Sequence, residues 1–422
     1  MAVSVREIMN LPEHRPVRAT LVVDQGDGAV RVLRALREAG VDAVLLSGRG
    51  HAAPERALAH RIVALPGFPW SAHRQGDPAR LVDAIVDAAD ACGVDSIHFG
   101  YSPAGHDPRV VGALERHGLV VLGPSRATLE RELERSAEPA AAPVVGVVVA
   151  VDAWGSAVAL GDRDAIARAD GRVVADCSPS SLGDRDKVWR EAVRVALAVG
   201  LRGVGTVDVA VDDAGAPLGV RAVHGGLHPG DLVVEETTGI DLVAEQLRLA
   251  SGHPVALPTD ARGHGAAVQC RILAIDPLDG ETADRGVIRG LTLPCGAGVR
   301  VEPKVAVGSA VDPADPVIAR IACRGRDRDA ALRRLDTALA TTSVVGVRTN
   351  VPLLRAVIGD GELDAGGLDD ALRRAGQRLA QPDHETEVAI AALIAAHWVK
   401  APSKPVTSRW HAHGRVLDMG GV

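Results

Sequence analysis

The sequence predicts a mixed α/β (α+β) protein of two or three domains, with a doubly wound parallel sheet at its N-terminal end. The chain has 422 residues and is 47% hydrophobic, which is enough material for a large core. Within its first 126 residues, short apolar runs alternate with amphipathic segments. Glycine-containing turns separate many of these segments, and this order is typical of repeated strand–helix–strand units.

The elements of this first part are expected to alternate along the chain after a lead-in of about 17 residues. In the helix expected over 78–92, Leu81, Ile85 and Val86 lie on one face, which predicts its buried side. Strands are expected over 19–23, 41–46, 96–101 (with a turn) and 119–124, and helices over 29–39, 78–92 and 108–117.

The rest of the chain predicts a longer series of strands with fewer helices. A helix over 128–135 is followed by residues 136–143, whose Ala/Pro-rich composition indicates a linker. Strands beginning at 144 and 157 are expected to pair as a hairpin. An amphipathic helix precedes Ser251-Gly252, a stop signal. Further strands are expected over 203–211, 218–223, 266–273 and 317–321, with a loop from 224 up to the helix at 238. Further helices are expected over 187–199, 327–340, 351–358, 366–378 and 385–400.

Composition argues against several classes of function. The net charge of −7 and the scarcity of aromatic residues disfavour a nucleic-acid binder. The five cysteines include no CxxC pair, so we expect buried cytosolic thiols and neither a zinc site nor a disulfide framework. No signal peptide and no apolar run of membrane-spanning length is recognisable, so a cytoplasmic location is expected.

Several short motifs occur in an order that resembles one known family. They are IHFGY at 97–101, VLGPS at 121–125, TGIDLVAEQLRLASG at 238–252, GVRVE at 298–302 and GVRTNV at 346–351. Together they resemble biotin carboxylase, the ATP-grasp component of acyl-CoA carboxylases, over residues 18–378. This resemblance implies a biotin-carboxylase-like α/β domain over 18–126, an ATP-grasp-like core over 127–260 and a C-terminal β domain over 261–380. A helix and tail over 381–422 would follow.

One part of the family's frame is missing. In biotin carboxylases a complete lid subdomain, which carries a glycine-rich phosphate loop, lies between the first domain and the core hairpin. Here that interval holds only the eight residues of the linker, 136–143. The resemblance therefore implies a degenerate ATP-grasp core without its lid.

The family's chemistry needs ATP, magnesium, a bicarbonate cradle and a base, and the resemblance implies where each should be. Asp208 corresponds to the first metal-binding Glu, Arg135 to a phosphate lysine, and Arg168 and Arg172 lie near the bicarbonate-side residues. Arg300, followed by Glu302, matches the Arg that steadies the biotin enolate; a structural ion pair is the alternative. We regard all six as vestigial.

The remaining catalytic positions are changed. Counting back from Thr238 without gaps places Ala222 at the second metal position and Gly230 at the base; a shift of one residue places Arg221 at the metal position, which would repel magnesium. His224 and His228 have the four-residue spacing of a zinc pair, but the glycines between them favour an ordinary solvated loop. No Met-Lys pair is present, so no covalent biotin is expected.

These observations favour a biotin-carboxylase-like pseudoenzyme, without a bound cofactor, that acts as a structural or regulatory subunit of an acyl-CoA carboxylase in fatty acid metabolism. Its expected partners are a biotin carboxylase α subunit or a carboxyltransferase β subunit, in a homodimer or heterodimer. Two alternatives stay open: an active ATP-dependent ligase, and a small-molecule sensor whose cleft contains Asp208, Arg135 and Arg300.

Overall fold

Five parallel strands form the first sheet, in the order β3-β2-β1-β4-β5. The computed structural model describes residues 16–48, 53–65, 78–135, 142–169, 172–182, 185–212, 214–255, 263–276 and 282–359. The strands are β1 (Ala19–Val22), β2 (Asp42–Ser47), β3 (Arg61–Ala64), β4 (Ser96–His98) and β5 (Val120–Val121). The helices are α1 (Asp27–Glu38), α2 (Pro78–Cys92) and α3 (Pro108–Arg116).

The two faces of this sheet are covered by different helices, as in a doubly wound domain. On one face, Leu33 and Leu36 of α1 pack in a cluster with Leu45 of β2. On the other face, Ile85 of α2 and Leu114 of α3 pack against the apolar side of β1. The N-terminal sheet predicted from the alternating pattern is confirmed.

An antiparallel sheet of eight strands forms the centre of the molecule, in the order β10-β9-β6-β7-β8-β11-β16-β15. Its pairing is continuous: β8 pairs with β11, for example Cys177 opposite Val268, and β11 pairs with β16. The strands are β6 (Val144–Val151), β7 (Ala157–Ala169), β8 (Arg172–Ser178), β9 (Gly203–Val211), β10 (Pro217–Gly225), β11 (Ala266–Leu273), β15 (Val299–Pro303) and β16 (Val317–Gly325).

Helices cover this sheet and join it to the first domain. Helix α4 (Arg126–Arg135) leads towards the sheet, and α5 (Arg185–Ala198) buries Val188 and Val195 against β6 and β9. Helices α6 (Leu232–Thr238) and α7 (Leu242–Ala250) share one apolar cluster with α1. In α7, the Asp241 side chain accepts hydrogen bonds from the backbone N–H groups of Val243 and Ala244, which explains why the helix begins there.

The C-terminal part adds α8 (Arg328–Ala340) and α9 (Val351–Gly359) beside the sheet. Two small antiparallel pairs complete it: β12 (Ile275–Asp276) with β13 (Thr282–Ala283), and β14 (Gly290–Thr292) with β17 (Ser343–Val345). All described residues belong to one compact unit. The predicted domain boundaries at 126 and 260 therefore stay predictions.

Some sequence expectations are corrected by the structure. Strand β7 extends to Ala169, well beyond the predicted hairpin partner; β8 and α6 were not predicted, and the segment before Thr238 was expected to be a loop. Helix α6 has only seven residues and is buried on most sides, so it shows no amphipathic period. The lead-in, the helix expected over 366–378 and the tail lie outside the described residues.

Two other expectations concern exposure. Cys177, Cys270 and Cys323 are buried, but Cys295 is exposed, so the expectation of buried thiols is wrong for that residue. Within the described parts of the chain, no helix combines the length and the apolarity that a membrane span needs.

Candidate functional site

The guanidinium of Arg163, on β7, is the centre of a buried polar cluster. Its Nε donates to Asp231 Oδ1 at 3.1 Å, and its Nη1 donates to Asp176 Oδ1 at 3.2 Å. Its Nη2 lies 2.7 Å from Nδ1 of His228. Burial opposes the charged form of Arg163, but the charges of Asp176, Asp231 and Asp208 outweigh it and raise the pKa of the guanidinium.

This guanidinium fills the space in front of residue 230. A Cβ placed on Gly230 would lie 2.7 Å from Cζ and Nε of Arg163 and 2.9 Å from Oδ1 of Asp176. Cβ atoms essentially never approach another atom this closely, so the end of the Arg163 side chain would have to move to admit one. The position that the family resemblance assigns to the catalytic base therefore has no room for a side chain while Arg163 stays in place.

Asp208, on β9, lies beside the same guanidinium and is paired with a histidine. Its Oδ2 is 3.0 Å from Nε2 of His224, on the neighbouring strand β10. Burial lowers the pKa of His224, but the hydrogen bond and charge of Asp208 outweigh burial and raise it overall. Ala222 is the residue directly opposite Asp208 in the β9–β10 pairing. Counting back from Thr238 without gaps placed Ala222 at the second metal position, and the strand pairing agrees with that placement. The side chain at this position is therefore only a methyl group.

This arrangement does not fit magnesium. A magnesium site in an ATP-grasp core needs carboxylate oxygens that are free to coordinate the ion. Asp208 is engaged by His224, Ala222 offers no oxygen, and the positive charge of Arg163 acts on the Asp208 carboxylate. Among the described residues, no group of three or more acidic, histidine or cysteine side chains has the geometry of a metal site. We therefore derive no step that passes through a metal–nucleotide complex.

The histidines are placed differently from the sequence expectation. His224 belongs to strand β10 and not to a loop, and its side chain is 36% exposed. His228 follows in the turn before α6, where its Nδ1 accepts from the backbone N–H of Gly230 at 2.9 Å. Burial and the neighbouring cation of Arg163 hold the pKa of His228 well below its usual range. Its imidazole is therefore neutral at physiological pH.

Arg300 belongs to a second, separate cluster of ion pairs. Its Nη1 lies 2.9 Å from Glu235 Oε2, and its Nη2 lies 3.0 Å from Glu302 Oε1. The other oxygen of Glu235 pairs with Arg31, from α1, at 2.7 Å. Arg31 also donates to the hydroxyl of Tyr101 at 2.7 Å. This acid–base cluster, Arg31–Glu235–Arg300–Glu302, ties the first domain to α6 and β15.

The charges of this cluster are largely buried. Arg31 and Glu235 are 1% and 3% exposed in their side chains. Burial alone would raise the pKa of Glu235, but Arg31 and Arg300 lower it below its usual value. Arg300 is thus ion-paired with Glu235 and Glu302 in this structure, and its role stays a prediction.

Two acidic residues at the start of α1 extend this electrostatic environment. Asp27 pairs with Arg320 of β16, which lies over the ring of Tyr101. Asp24 accepts from the backbone N–H of Tyr101 at 2.8 Å and is buried. Desolvation raises the pKa of Asp24 to about 8.

The other predicted site residues lie on elements of the core. Arg135 is the last residue of α4, Arg168 lies in β7 and Arg172 in β8, opposite Ala169. Only their backbones are described. Asp208 lies in the Arg163 cluster, whereas Arg300 and Glu302 lie in the acid–base cluster. The predicted site residues whose side chains are described therefore fall into two separate groups. Their vestigial roles stay proposals.

Sequence reasoning missed the side chains that organise both clusters. The sequence does not single out Arg163, Asp231, Glu235 or Arg31. Nothing in the local sequence distinguishes them: Glu235 is followed by Glu236, and Arg163 lies between Asp162 and Asp164. A charged residue at a position of a strand or helix that faces the core would have been the signal for these clusters. Such a residue predicts a buried partner of opposite charge, since charged residues are rarely buried unless they are paired.

Three family profiles match consecutive parts of the chain. They describe the biotin carboxylase N-terminal domain at residues 16–129, the ATP-binding domain of the carbamoyl-phosphate synthase L chain at 126–257 and the biotin carboxylase C-terminal domain at 269–372.

Curated relatives give the same family. Biotin carboxylase 2 of Bacillus subtilis is 35% identical over 215 residues, which cover 50% of this chain and 48% of the relative. The match thus spans about half the length of that relative. The biotin carboxylase of Haemophilus influenzae is 24% identical over 436 residues, which cover 82% of this chain and 96% of that protein.

Solved structures share the fold. The biotin carboxylase domain of 2-oxoglutarate carboxylase from Hydrogenobacter thermophilus, crystallised as a dimer with MgADP, ADP and bicarbonate, superposes with a TM-score of 0.77 at 21% identity, covering 86% of this chain and 99% of that one. The complete pyruvate carboxylase of Rhizobium etli gives a TM-score of 0.76 at 23% identity, covering 88% of this chain and 37% of that one. The profiles, the relatives and the folds agree, and the chain belongs to the biotin carboxylase family.

Proposed function

We propose that this chain is a non-catalytic member of the biotin carboxylase family that serves as a structural or regulatory subunit of an acyl-CoA carboxylase complex. The observation that carries the proposal is the contact between Arg163 and residue 230. The guanidinium lies where the side chain of a base would have to be, and Gly230 supplies none. Two carboxylates and His228 hold Arg163 in this position.

Three further features support the loss of carboxylation. Asp208 faces Ala222 across the strand pair and is engaged by His224. Arg300 is engaged by Glu235 and Glu302. Between Arg135 and Val144 the chain has eight residues, too few for a folded lid that would exclude water from a phosphoryl transfer. Groups that act as a unit fail together when several are lost.

The test of this proposal measures the reaction directly. Purified protein, free biotin, bicarbonate and Mg·ATP are expected to give no bicarbonate-dependent ADP release above a protein-free control. Calorimetry with ATP, with and without magnesium, is expected to show no micromolar binding. Bicarbonate-dependent turnover, or tight magnesium-dependent ATP binding, would contradict a non-catalytic role.

The active ligase stays the alternative, because curated relatives such as that from Bacillus subtilis are named as biotin carboxylases. It predicts ADP release that depends on both bicarbonate and biotin.

A partnership with other carboxylase subunits is the second part of the proposal. A relative from Methanothermobacter thermautotrophicus, 25% identical, is named as one of the subunits of pyruvate carboxylase and is therefore by its name part of a larger assembly. We propose the corresponding partnership here, in the cytoplasm, with a biotin carboxylase α or carboxyltransferase β subunit. Affinity capture from the native cell, with carboxylase subunits identified by mass spectrometry, is the measurement.

A further inference from the structure

We propose that the surface formed by Trp154, Leu197, Arg131 and Arg202, here called the Trp154 patch, is the docking site for an acidic surface of a carboxylase subunit. The inference rests on the partnership in the proposed function and deepens it, because it locates the contact and states the chemistry of the partner. That partner surface supplies an apolar pocket for the indole and carboxylates for the two guanidinium groups.

The indole of Trp154 lies at the turn between β6 and β7 and is 41% exposed. Among the described Phe, Tyr and Trp side chains, it is the only one with more than a third of its surface exposed. The whole chain contains only two Phe, one Tyr and five Trp. An aromatic side chain of this size contributes most when it is buried, and such side chains are typical anchors of protein–protein contacts.

The turn that carries Trp154 is held in place by a buried carboxylate. Asp152 is 1% exposed, and its Oδ1 accepts from the backbone N–H groups of Trp154 at 2.9 Å and of Ser156 at 2.8 Å. Its Oδ2 accepts from the N–H of Val255 at 3.1 Å, which ties the turn to the chain after α7. An anchor on a turn that is already fixed loses little conformational freedom when it binds.

The end of α5 belongs to the same surface. Leu197, near that end, is 42% exposed, and its carbonyl accepts from the N–H of Gly200. Two residues further on, Arg202 Nη1 donates to the carbonyl oxygen of Asp152 at 2.6 Å. The guanidinium of Arg202 therefore lies between the end of α5 and the turn that carries Trp154.

The charge of the patch indicates the chemistry of the partner. Arg131 Nη1 donates to the carbonyl oxygen of Val199 at 3.2 Å, so both exposed guanidinium groups are held by backbone oxygens. Within the described part of the chain, neither forms an ion pair with a carboxylate, and the oxygens of Asp152 are occupied by backbone N–H groups. The chain as a whole has a net charge of −7. A locally positive, partly apolar surface on such a chain is complementary to an acidic partner.

Two variants remove the anchor and the charge separately. Trp154→Ala removes the exposed indole and leaves the hydrogen bonds of Asp152 in place. Arg131→Glu reverses one charge and leaves Arg202, which supports the turn. The controls are Leu218→Ala, a 63% exposed side chain on β10, and Arg80→Glu, an exposed position on α2. Thermal melts of all four variants check that they are folded.

The experiment is affinity capture from the native cell with the tagged full chain, after nuclease treatment, at low and at high salt. Carboxylase subunits are quantified by mass spectrometry relative to the tagged chain. Trp154→Ala is expected to recover at least about tenfold less carboxylase subunit than wild type, the loss expected for an aromatic anchor. Arg131→Glu is expected to recover less at low salt, and its difference from wild type should shrink at high salt. Both controls are expected to match wild type.

The outcomes separate this inference from the proposed function. Equal recovery of a carboxylase subunit by wild type and by folded Trp154→Ala would overturn the docking site and leave the proposed partnership standing. A wild-type chain that recovers no carboxylase subunit would contradict the partnership and this inference with it.

Other occupants of the Trp154 patch would also overturn the proposal. Two arginines on a chain of net negative charge are too few for the array of phosphate contacts that nucleic-acid binding needs. Recovery that is lost on nuclease treatment would nevertheless assign the patch to nucleic acid. A dimer mass in light scattering that Trp154→Ala reduces to a monomer mass would assign it to a second copy of this chain.

Discussion

At residue 230, the lack of a side chain leaves room for the guanidinium of Arg163, and the two residues have to be understood together. The buried carboxylates of Asp176 and Asp231 need that guanidinium, since a buried charge without a partner is strongly destabilising. Gly230 is thus part of a packed ion-pair cluster.

Restoring a base at this position is expected to fail. Gly230→Glu is predicted to reduce the free energy of unfolding by about 1–3 kcal/mol, because the new side chain overpacks against Arg163. It is also predicted to leave ADP release at the background level. Urea denaturation measures the first effect. Gly219→Ala is the control, because nothing lies within 4 Å of a Cβ at Gly219. A stable Gly230→Glu protein with bicarbonate-dependent turnover would refute both parts.

Asp24 provides a prediction about pH. Its pKa in the folded protein is raised from 3.8 to about 8, so the folded state binds a proton that the unfolded state has released. Between these two values the contribution of Asp24 to stability falls as pH rises, and above about 8 it no longer changes. Asp24→Asn keeps a neutral side chain of the same shape. It is predicted to stabilise the protein by more than about 1 kcal/mol at pH 8 and by little at pH 4.

Thermal melts of the Asp24→Asn variant and wild type from pH 4 to pH 9 test this prediction. The exposed substitution Asp83→Asn, on α2, should show no such trend. A difference between Asp24→Asn and wild type that shrinks with rising pH would show the sign to be wrong.

Among the elements, the short helix α6 connects two others through a single side chain. Its seven residues carry Glu235, which joins Arg31 of α1 to Arg300 of β15. No local pattern predicted this helix, because its period is hidden by burial on most sides. By contrast, α7 was predicted with its stop, since Ser251-Gly252 is a local signal.

The acid–base cluster yields a prediction at this scale. Glu235→Gln is expected to cost about 3–5 kcal/mol, because it leaves Arg31 buried without its anionic partner. The double variant Arg31→Met/Glu235→Leu is expected to cost less than Glu235→Gln alone, since no uncompensated charge remains. Removing the exposed pair Arg194–Glu191 is expected to change stability by less than about 1 kcal/mol. Equal costs for Glu235→Gln and for the exposed pair would contradict this account.

For the whole molecule, the continuous eight-stranded sheet is the dominant feature. Strands β15 and β16, and most of β11, lie in the region that matches the biotin carboxylase C-terminal domain. Strand β11 is nevertheless hydrogen-bonded to β8, which lies in the region that matches the ATP-binding domain. The sequence predicted most of these strands and the pairing of β6 with β7. It did not predict how strands far apart in the sequence pair, because β8 was missed and because such pairing leaves no local pattern. The order of family motifs supplied the fold that periodicity alone did not.

This sheet predicts the cooperativity of unfolding. The full chain is expected to unfold its described part in one calorimetric transition, since no sheet boundary separates β8 from β11. The isolated fragment 261–380 is expected not to fold, because β11 would lose the strand opposite Ala267–Cys270 and expose a long edge. A fragment with dispersed NMR signals and a sharp melt would show that the predicted boundary at 260 separates independent domains.

The sequence could locate site residues that lie in local motifs, but it could not predict contacts between residues far apart in the chain. Asp208, Arg300 and Gly230 were located by motif order, and the pairing of Ala222 with Asp208 agrees with that alignment. What each residue contacts was not predictable: Arg163 lies 68 positions from Asp231, and Arg31 lies far from Glu235 in the sequence.

The seating of Arg163 against Gly230 makes substitutions at the two positions interdependent. A carboxylate introduced at 230 would meet a guanidinium held by three partners, and removal of that guanidinium would leave two buried acids without their partner. Each substitution alone is therefore expected to cost stability, and only a combined change at both positions could keep the cluster neutral and packed.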